Sequence, residues 1–359
     1  MKSRKSKALF AINGYGMGNA TRCEALMDIL ADEIDAEIIT SDRAFKYFYE
    51  SNEKRTLHKQ EDINNSKNNN YGSLSFYIFS LIPFIIRLFN NRKRQCELWK
   101  ANAYEYCFFD SDYAFVLHRL YFIFQKKRPC LIGVNNSFDV ISYFRTDPGK
   151  LQMNLIPSFL VEVLDYVIYS TFCDYVLFPS LNFENKLNSD KIKQIPPLIR
   201  SSILNYDKNK AVDAKTDSTF AGLRAAAFVS SSNVVSLLHE FLKKINRKID
   251  FKTKNEQELN SAELIISNAG QSTLSEALYL AKKSLIFPIP RHAEQAANAG
   301  RLAKLGALSI DSSEELNVLQ IESRARELKN LVPVYSYAEL KASVTTAFVE
   351  IKSGKNKCK

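Results

Sequence analysis

The 359-residue sequence predicts an α/β protein of two domains built on parallel sheets. Three observations lead there. Short apolar runs alternate with segments of helical period through the first half. Two such runs, one near each end of the chain, stop at small-residue turns that open directly into a helix. Between them, Ile195-Pro196-Pro197-Leu198-Ile199-Arg200 breaks the alternation, because consecutive prolines favour extended backbone and exclude helix. That run is the expected linker. It divides the chain into residues 1–195 and 196–336, with a C-terminal helix and basic tail over 337–359.

Composition narrows the class. Hydrophobic residues at 46% and charged residues at 25% match a soluble globular protein. The net charge of +10 favours an anionic partner: a nucleotide, a phospholipid surface or a nucleic acid. Basic residues are spread along the chain and form no recognised module, so nucleic acid is not expected. Six cysteines lie far apart with no Cys-x-x-Cys or Cys/His spacing. A metal site is therefore not expected, and a reduced cytosolic setting is. The apolar run after the basic residues 1–7 is too short for a signal-peptide core.

In chain order, Ala8–Ile12 is the first buried strand. The glycine loop Asn13–Asn19 and a helix over Ala20–Leu30 follow. Only 11 glycines occur in the chain, and Gly14, Gly16 and Gly18 are three of them, a concentration that implies tight turning or close approach by a ligand. A dinucleotide loop fits poorly: the pattern is G-x-G-x-G, and only Asp42 stands after the second strand to meet a ribose. Ala36–Thr40 is that strand and Asp42–Glu50 a helix, followed by an Asn-rich loop at 64–70. Leu74–Phe89 is strongly apolar, contains Pro83 and is closed by Arg92-Lys93-Arg94. It reads as a core helix or helical hairpin, or else as an interfacial segment whose basic flank meets anionic headgroups.

Tyr113–Leu117 reads as a strand ending at His118, one of four histidines. At a strand end His118 would be a candidate general base; the alternative is a core-edge histidine without a role. Strands at Cys130–Val134 and Tyr175–Phe178 flank a long apolar helix, Leu155–Tyr169, and Asn135 and Asn136 stand just past the first of them. In the second half, a strand near Ala226–Val229 runs into Ser230-Ser231-Ser232-Asn233 and a helix over Val234–Ile245, with another strand at Lys248–Phe251.

The stretch Leu264–Gly306 carries the chemistry. Leu264-Ile265-Ile266 is a strand, Asn268-Ala269-Gly270 breaks it, and Ser272 and Thr273 are natural N-caps for the helix that follows. A helix start offers unpaired N–H groups and the positive end of the macrodipole, so this turn suits a phosphate. Glu276, four residues past Ser272, is placed to accept from paired sugar hydroxyls, or alternatively to answer the helix dipole. A second strand, Ser284–Phe287, ends at Pro288-Ile289-Pro290, and Arg291–Gln295 opens a helix containing Asn298. Two consecutive strand ends thus present polar groups where α/β sheets collect ligands. One strand, Ala307–Ile310, and two helices follow, and the tail from Lys352 is expected to be disordered.

Asn268-Ala269-Gly270-x-Ser272-Thr273-x-x-Glu276-Ala277, with Pro288 and then Glu294-Gln295-x-x-Asn298-Ala299, resembles the donor-binding signature of the GT-B glycosyltransferases, the group containing MurG and the UDP-glycosyltransferases. The resemblance implies two Rossmann-like domains whose parallel sheets face a cleft. It assigns the diphosphate to Gly270, Ser272 and Thr273, the ribose to Glu276 and the donor sugar to Glu294 and Gln295. Gly18-Asn19-Ala20-Thr21-Arg22 is similar to the G-H-x-x-R loop of the acceptor-side domain, so Gly16, Gly18 and Arg22 are loop candidates and Asn19 stands at the usual His. An amide takes up no proton, so a base lies elsewhere, with His118 a candidate, or the substrate supplies it.

The expected activity is metal-independent transfer from a nucleotide-diphosphate sugar, UDP-linked, to a glycan or lipid-linked acceptor in cell-envelope glycan biosynthesis. No cofactor is expected. The expected setting is the cytoplasm, with peripheral contact at the inner membrane face. Asn19 also leaves open a non-catalytic protein that binds a sugar nucleotide or an enzyme partner. An epimerase would need more acid/base groups than these loops hold.

Overall fold

The computed structural model describes residues 4–14, 17–51, 54–61, 74–122, 125, 128–181, 189–204, 219–220, 223–228, 256–310, 318–333 and 335–354. The chain forms two compact units. The first comprises residues 1–139, 163–198 and 338–359, the second 140–162 and 199–337. Each carries a parallel sheet of the kind the alternating pattern predicts.

The first unit is built on seven parallel strands in the order β3-β2-β1-β4-β5-β6-β7. These are β1 Ser6–Ile12, β2 Ile34–Thr40, β3 Leu57–Lys59, β4 Tyr106–Asp110, β5 Cys130–Val134, β6 Tyr175–Pro179 and β7 Ile192–Ile195. The order reverses at β1, between β2 and β4, the usual ligand position of a doubly wound sheet. Right-handed crossovers put α1 (Met17–Ile29) and α2 (Asp42–Glu50) on one face. They put α3 (Leu74–Asn102), α4 (Ala114–Phe122) and the part of α6 (Ile156–Phe172) from residue 163 on the other, while most of α5 (Ser137–Thr146) and the start of α6 count with the second unit. Beneath that second layer Leu9, Phe109, Phe115, Leu131, Tyr169 and Phe178 form one buried cluster. At Gly14 a Cβ would lie 2.0 Å from the Ser41 carbonyl oxygen, so only glycine lets the chain after β1 pass the end of β2.

The second unit orders its strands β12-β11-β10-β9-β8: β8 Thr219–Phe220, β9 Leu223–Phe228, β10 Leu264–Ser267, β11 Lys283–Ile286 and β12 Leu308–Ser309. All neighbours pair in parallel except the short β8–β9 hairpin. Among the described residues its further helices are α7 (Ser201–Leu204), α8 (Glu256–Ser261), α9 (Gln271–Tyr279), α10 (Ala293–Lys304) and α11 (Val318–Glu327). The last helix, α12 (Tyr337–Gly354), returns to the first unit. There Phe348 packs 5.1 Å from the Tyr106 ring, and Lys352 meets Glu33 at 2.8 Å.

Four expectations change. Tyr113–Leu117 is not a strand. Asp112 accepts from the Ala114 amide at 3.0 Å and starts α4 there, and the strand before it is Tyr106–Asp110. A short apolar run fits either element, and the capping carboxylate decides. The apolar segment from Leu74 is a single 29-residue helix that passes through Pro83 and contains Arg92-Lys93-Arg94 rather than ending before them. The residues just before the proline pair, Ile192–Ile195, form edge strand β7. Lys352 is helical and ion-paired, so order runs to Gly354. The expected elements at 230–245 and 248–251 and the loop at 64–70 lie outside the described residues.

Candidate functional site

In the second unit the C-terminal end of β10 turns through Asn268-Ala269-Gly270 into α9. The N-cap is Gly270, in extended conformation (φ −72°, ψ 128°), a residue with no side chain of its own to cap the helix. Ser272 and Thr273 therefore sit inside the first turn rather than at the cap. A Cβ on Gly270 would meet nothing within 4 Å, so the space beside the helix start is open. A helix start that carries the positive end of the macrodipole beside open space suits an anion.

The turn is held from two sides. Asn268 Nδ2 donates to the Phe287 carbonyl at 3.0 Å, joining the ends of β10 and β11. From α10, Asn298 Nδ2 donates to the Ala269 carbonyl at 3.0 Å. In the loop after β11 the Ile289 amide donates to Gln295 Oε1 at 2.9 Å, and Arg291 has left-handed backbone (φ 62°). Glu294 stands in the first turn of α10. The phosphate and sugar candidates thus occupy two adjacent strand ends tied into one rigid frame.

Glu276, which the resemblance assigns to the ribose, is buried and paired with a cation. It is 1% exposed, and Arg200 grips it through Nε–Oε1 at 2.8 Å and Nη2–Oε2 at 3.3 Å. Arg200 follows the proline pair and is itself buried. Paired charges with this two-point geometry tolerate burial, whereas either alone would not. Sequence reading singled out the Pro-Pro run as a linker and missed its arginine; the signal available was a lone cation ending an apolar run.

In the first unit, Arg22 on α1 bonds Asp110 at the end of β4, Nε–Oδ2 at 2.8 Å and Nη2–Oδ1 at 2.6 Å, and both residues are buried. Arg22 is thus engaged with a carboxylate rather than open to a phosphate. Its Nη2 also donates to Asn19 Oδ1 at 3.1 Å, fixing the amide that stands where an imidazole was expected. Gly18 is exposed in the first turn of α1, and Gly16 lies outside the described residues. Asp110 went unnoticed in the sequence because β4 was hidden by the misplaced strand after it.

His118 is corrected as a strand-end base. It is 4% exposed on α4, with Nε2 at 2.8 Å from Gln95 Oε1 and Nδ1 at 3.5 Å from Cys96 Sγ. Burial first, and then the Arg92 charge, push its pKa down to about 3. Gln95 and Gln60 both donate to Asp112, whose carboxyl burial holds above its usual range despite these bonds. His118 belongs to this buried polar network. Asn135 caps α5, its Oδ1 accepting from the Ser137 amide at 2.6 Å. No cluster of three metal-ligating side chains occurs among the described residues, and the five described cysteines form no disulfide.

Known structures share this fold along nearly the whole chain. The glycotransferase of kitacinnamycin aligns with a TM-score of 0.58 at 11% identity, covering 98% of this chain and 96% of its own. A UDP-glucosyltransferase from Polygonum tinctorium capable of glucosylating indoxyl aligns at 0.59 and 11%, covering 98% and 99%. Phytolacca americana UGT2, complexed with UDP-2-fluoro-glucose and pterostilbene, aligns at 0.62 and 12%, covering 99% and 95%. The chain has the GT-B glycosyltransferase fold. Residues 230–352 match the glycosyltransferase family 28 C-terminal domain, so the protein carries a glycosyltransferase domain and the candidate turn lies inside it. Among curated proteins no sequence relative matches.

Proposed function

We propose that this GT-B protein transfers a sugar from a UDP-linked donor to a glycan or lipid-linked acceptor without a metal ion or other cofactor. In this reading it works in the cytoplasm, in cell-envelope glycan biosynthesis, with peripheral contact at the inner membrane face. The observation that carries it is the glycine start of α9 at Gly270 beside open space, framed by Asn268, Asn298 and the Gln295 loop. The family 28 domain supports nucleotide-sugar chemistry, and UDP-sugar ligands and acceptors occur with neighbours of the same fold.

The step is a displacement at the anomeric carbon. An acceptor hydroxyl oxygen forms the new bond to that carbon as the bond to the β-phosphate oxygen breaks, and the electron pair leaves with UDP. Negative charge grows on the departing diphosphate, and the fixed N–H groups of the first turn of α9 stabilise it without reorganising. Gln295 and Glu294 hold sugar hydroxyls from the neighbouring loop. Neither the Asn19 amide nor the buried His118 takes up the acceptor proton near neutral pH, so the proton passes to the departing diphosphate. Arg200 holds the Glu276 carboxylate in place at the donor side.

Thermal unfolding across UDP-, GDP- and dTDP-sugars tests the donor. At a ligand concentration of about 100 Kd, binding adds roughly 2.7 kcal/mol of stability. A shift with UDP-sugars, weakened on the order of tenfold or more by Gln295→Ala, is expected. No shift with any nucleotide would sink the donor assignment. Asn19 favours a second reading, a protein that binds the donor and does not turn it over. Binding with no UDP release across a broad acceptor panel selects it.

A further inference from the structure

Helix α10 carries the donor-sugar candidates Glu294 and Gln295 in its first turn, and its N-cap residue, His292, makes no capping bond with its side chain. The first N–H groups of a helix have no partner within it. Here the first of them is answered from the other half of the sequence. The Ala293 amide donates to Ser158 Oγ at 2.8 Å, across 135 residues, and Ala293 is fully buried. Ser158 Oγ donates in turn to the Leu155 carbonyl at 3.1 Å, so the hydroxyl is used in both directions and its position is fixed.

The segment that supplies Ser158 belongs to the second unit, which takes residues 140–162 from α5 and the start of α6. Val140, Phe144 and Leu155 of this segment form one buried cluster with Ala293 and Ala297 of α10. Further along α10, a Cβ at Gly300 would lie 1.9 Å from the Tyr143 hydroxyl oxygen, so any side chain there would displace the tyrosine. The Arg301 guanidinium carbon lies 5.2 Å from the centre of the same ring. Apolar packing is non-directional, whereas a hydrogen bond fixes distance and angle. The Ser158 bond therefore sets where the first turn of α10 begins.

Glu294 and Gln295 follow Ala293 directly, and the Ile289 amide holds Gln295 Oε1 from the β11 side at 2.9 Å. We propose that Ser158 is a positioning residue of the donor site, holding the first turn of α10 so that Glu294 and Gln295 meet the hydroxyls of the donor sugar. Such recognition depends on side chains held to within about half an ångström and some tens of degrees. The diphosphate is assigned to the start of α9 instead, so the effect of Ser158 falls on the sugar and not on UDP. The inference deepens the donor reading above and rests on its assignment of Glu294 and Gln295 to the sugar.

Calorimetric titration of the full chain with UDP and with UDP-glucose, UDP-galactose and UDP-N-acetylglucosamine tests it, using the UDP-sugar that wild type binds most tightly. Ser158→Ala should raise the Kd for that UDP-sugar on the order of tenfold. Its Kd for UDP should stay within about twofold of wild type, which also reports that the donor unit is folded. Ser158→Thr keeps the hydroxyl and should restore wild-type binding of the UDP-sugar. In a Glu294→Ala/Gln295→Ala background, where the groups that Ser158 positions are gone, Ser158→Ala should change the UDP-sugar Kd by less than about twofold. A residue that only supports the fold would act alike in both backgrounds and on both ligands. An unchanged UDP-sugar Kd in Ser158→Ala, equal losses for UDP and UDP-sugar, or a threonine variant as weak as the alanine one overturns the inference and leaves the donor reading standing. Wild type that binds neither UDP nor any of these UDP-sugars fails the donor reading, and this inference with it.

Discussion

At the scale of single residues, the buried charges and titratable groups are the features hardest to anticipate. Asn19, Arg22 and Glu276 all stand out in the sequence, yet their partners Asp110 and Arg200 lie 88 and 76 residues from Arg22 and Glu276. No local pattern reports a pairing at that separation. His118 illustrates the same point, since its role follows from Gln95 and Cys96 on a different helix. Its titration makes a test. The unfolded histidine binds a proton below about pH 6.5, whereas the folded one stays neutral down to about 3. Stability is therefore constant with respect to this group above pH 6.5 and falls as pH drops from there towards 3, by an amount on the order of a few kcal/mol. His118→Gln, which keeps a donor towards Gln95, is expected to flatten that fall. Urea unfolding of both proteins at pH 7 and pH 4.5 measures it, and an unchanged pH dependence in the variant contradicts the buried neutral assignment.

At the scale of elements, strand-turn-helix units were legible where a breaker sits beside a continuous apolar run. The β10 turn into α9 and the β11 loop into α10 came through within a residue or two for that reason. The α4 error arose because nine mostly apolar residues lack the length that separates strand from helix. Pro83 suggested a break that the α3 backbone does not make. Cap assignment at α9 was also off, since Gly270 takes the position that Ser272 or Thr273 would have filled. That shift yields a sharp expectation. Alanine at Gly270 meets no atom within 4 Å and requires no unusual backbone, since φ is −72°. Gly270→Ala gains about 0.4–1 kcal/mol through the unfolded chain and loses a similar amount by placing a disfavoured residue at the N-cap, so stability should change by less than about 1 kcal/mol. Donor binding should nonetheless weaken on the order of tenfold if a phosphate approaches this backbone. Urea unfolding and UDP titration on one preparation separate the two effects. Wild-type UDP affinity in the variant would move the phosphate elsewhere.

At the scale of the whole molecule, two parallel sheets were predictable from alternation, because sheets buried on both faces demand near-continuous apolar strands between helices. Which segments return to which unit was not, since that depends on contacts made after both sheets exist. Residues 338–359 follow the second unit in sequence and belong to the first. The hydrophobic argument for that return is concentrated in Phe348, fully buried against Tyr106 and Phe108, while Lys193–Glu350 and Lys352–Glu33 at 2.6 and 2.8 Å flank it. The flanking pairs are partly exposed, and such ion pairs contribute at most about 1 kcal/mol each. The aromatic contact therefore outweighs them. Phe348→Ala should destabilise the first unit by about 3–5 kcal/mol, whereas Lys352→Gln should cost less than about 1 kcal/mol. Because the donor frame is built from the second unit, UDP affinity measured well below the unfolding transition should be the same in Phe348→Ala as in wild type. Equal losses for the two substitutions would mean that charge, not aromatic packing, fixes the returning helix.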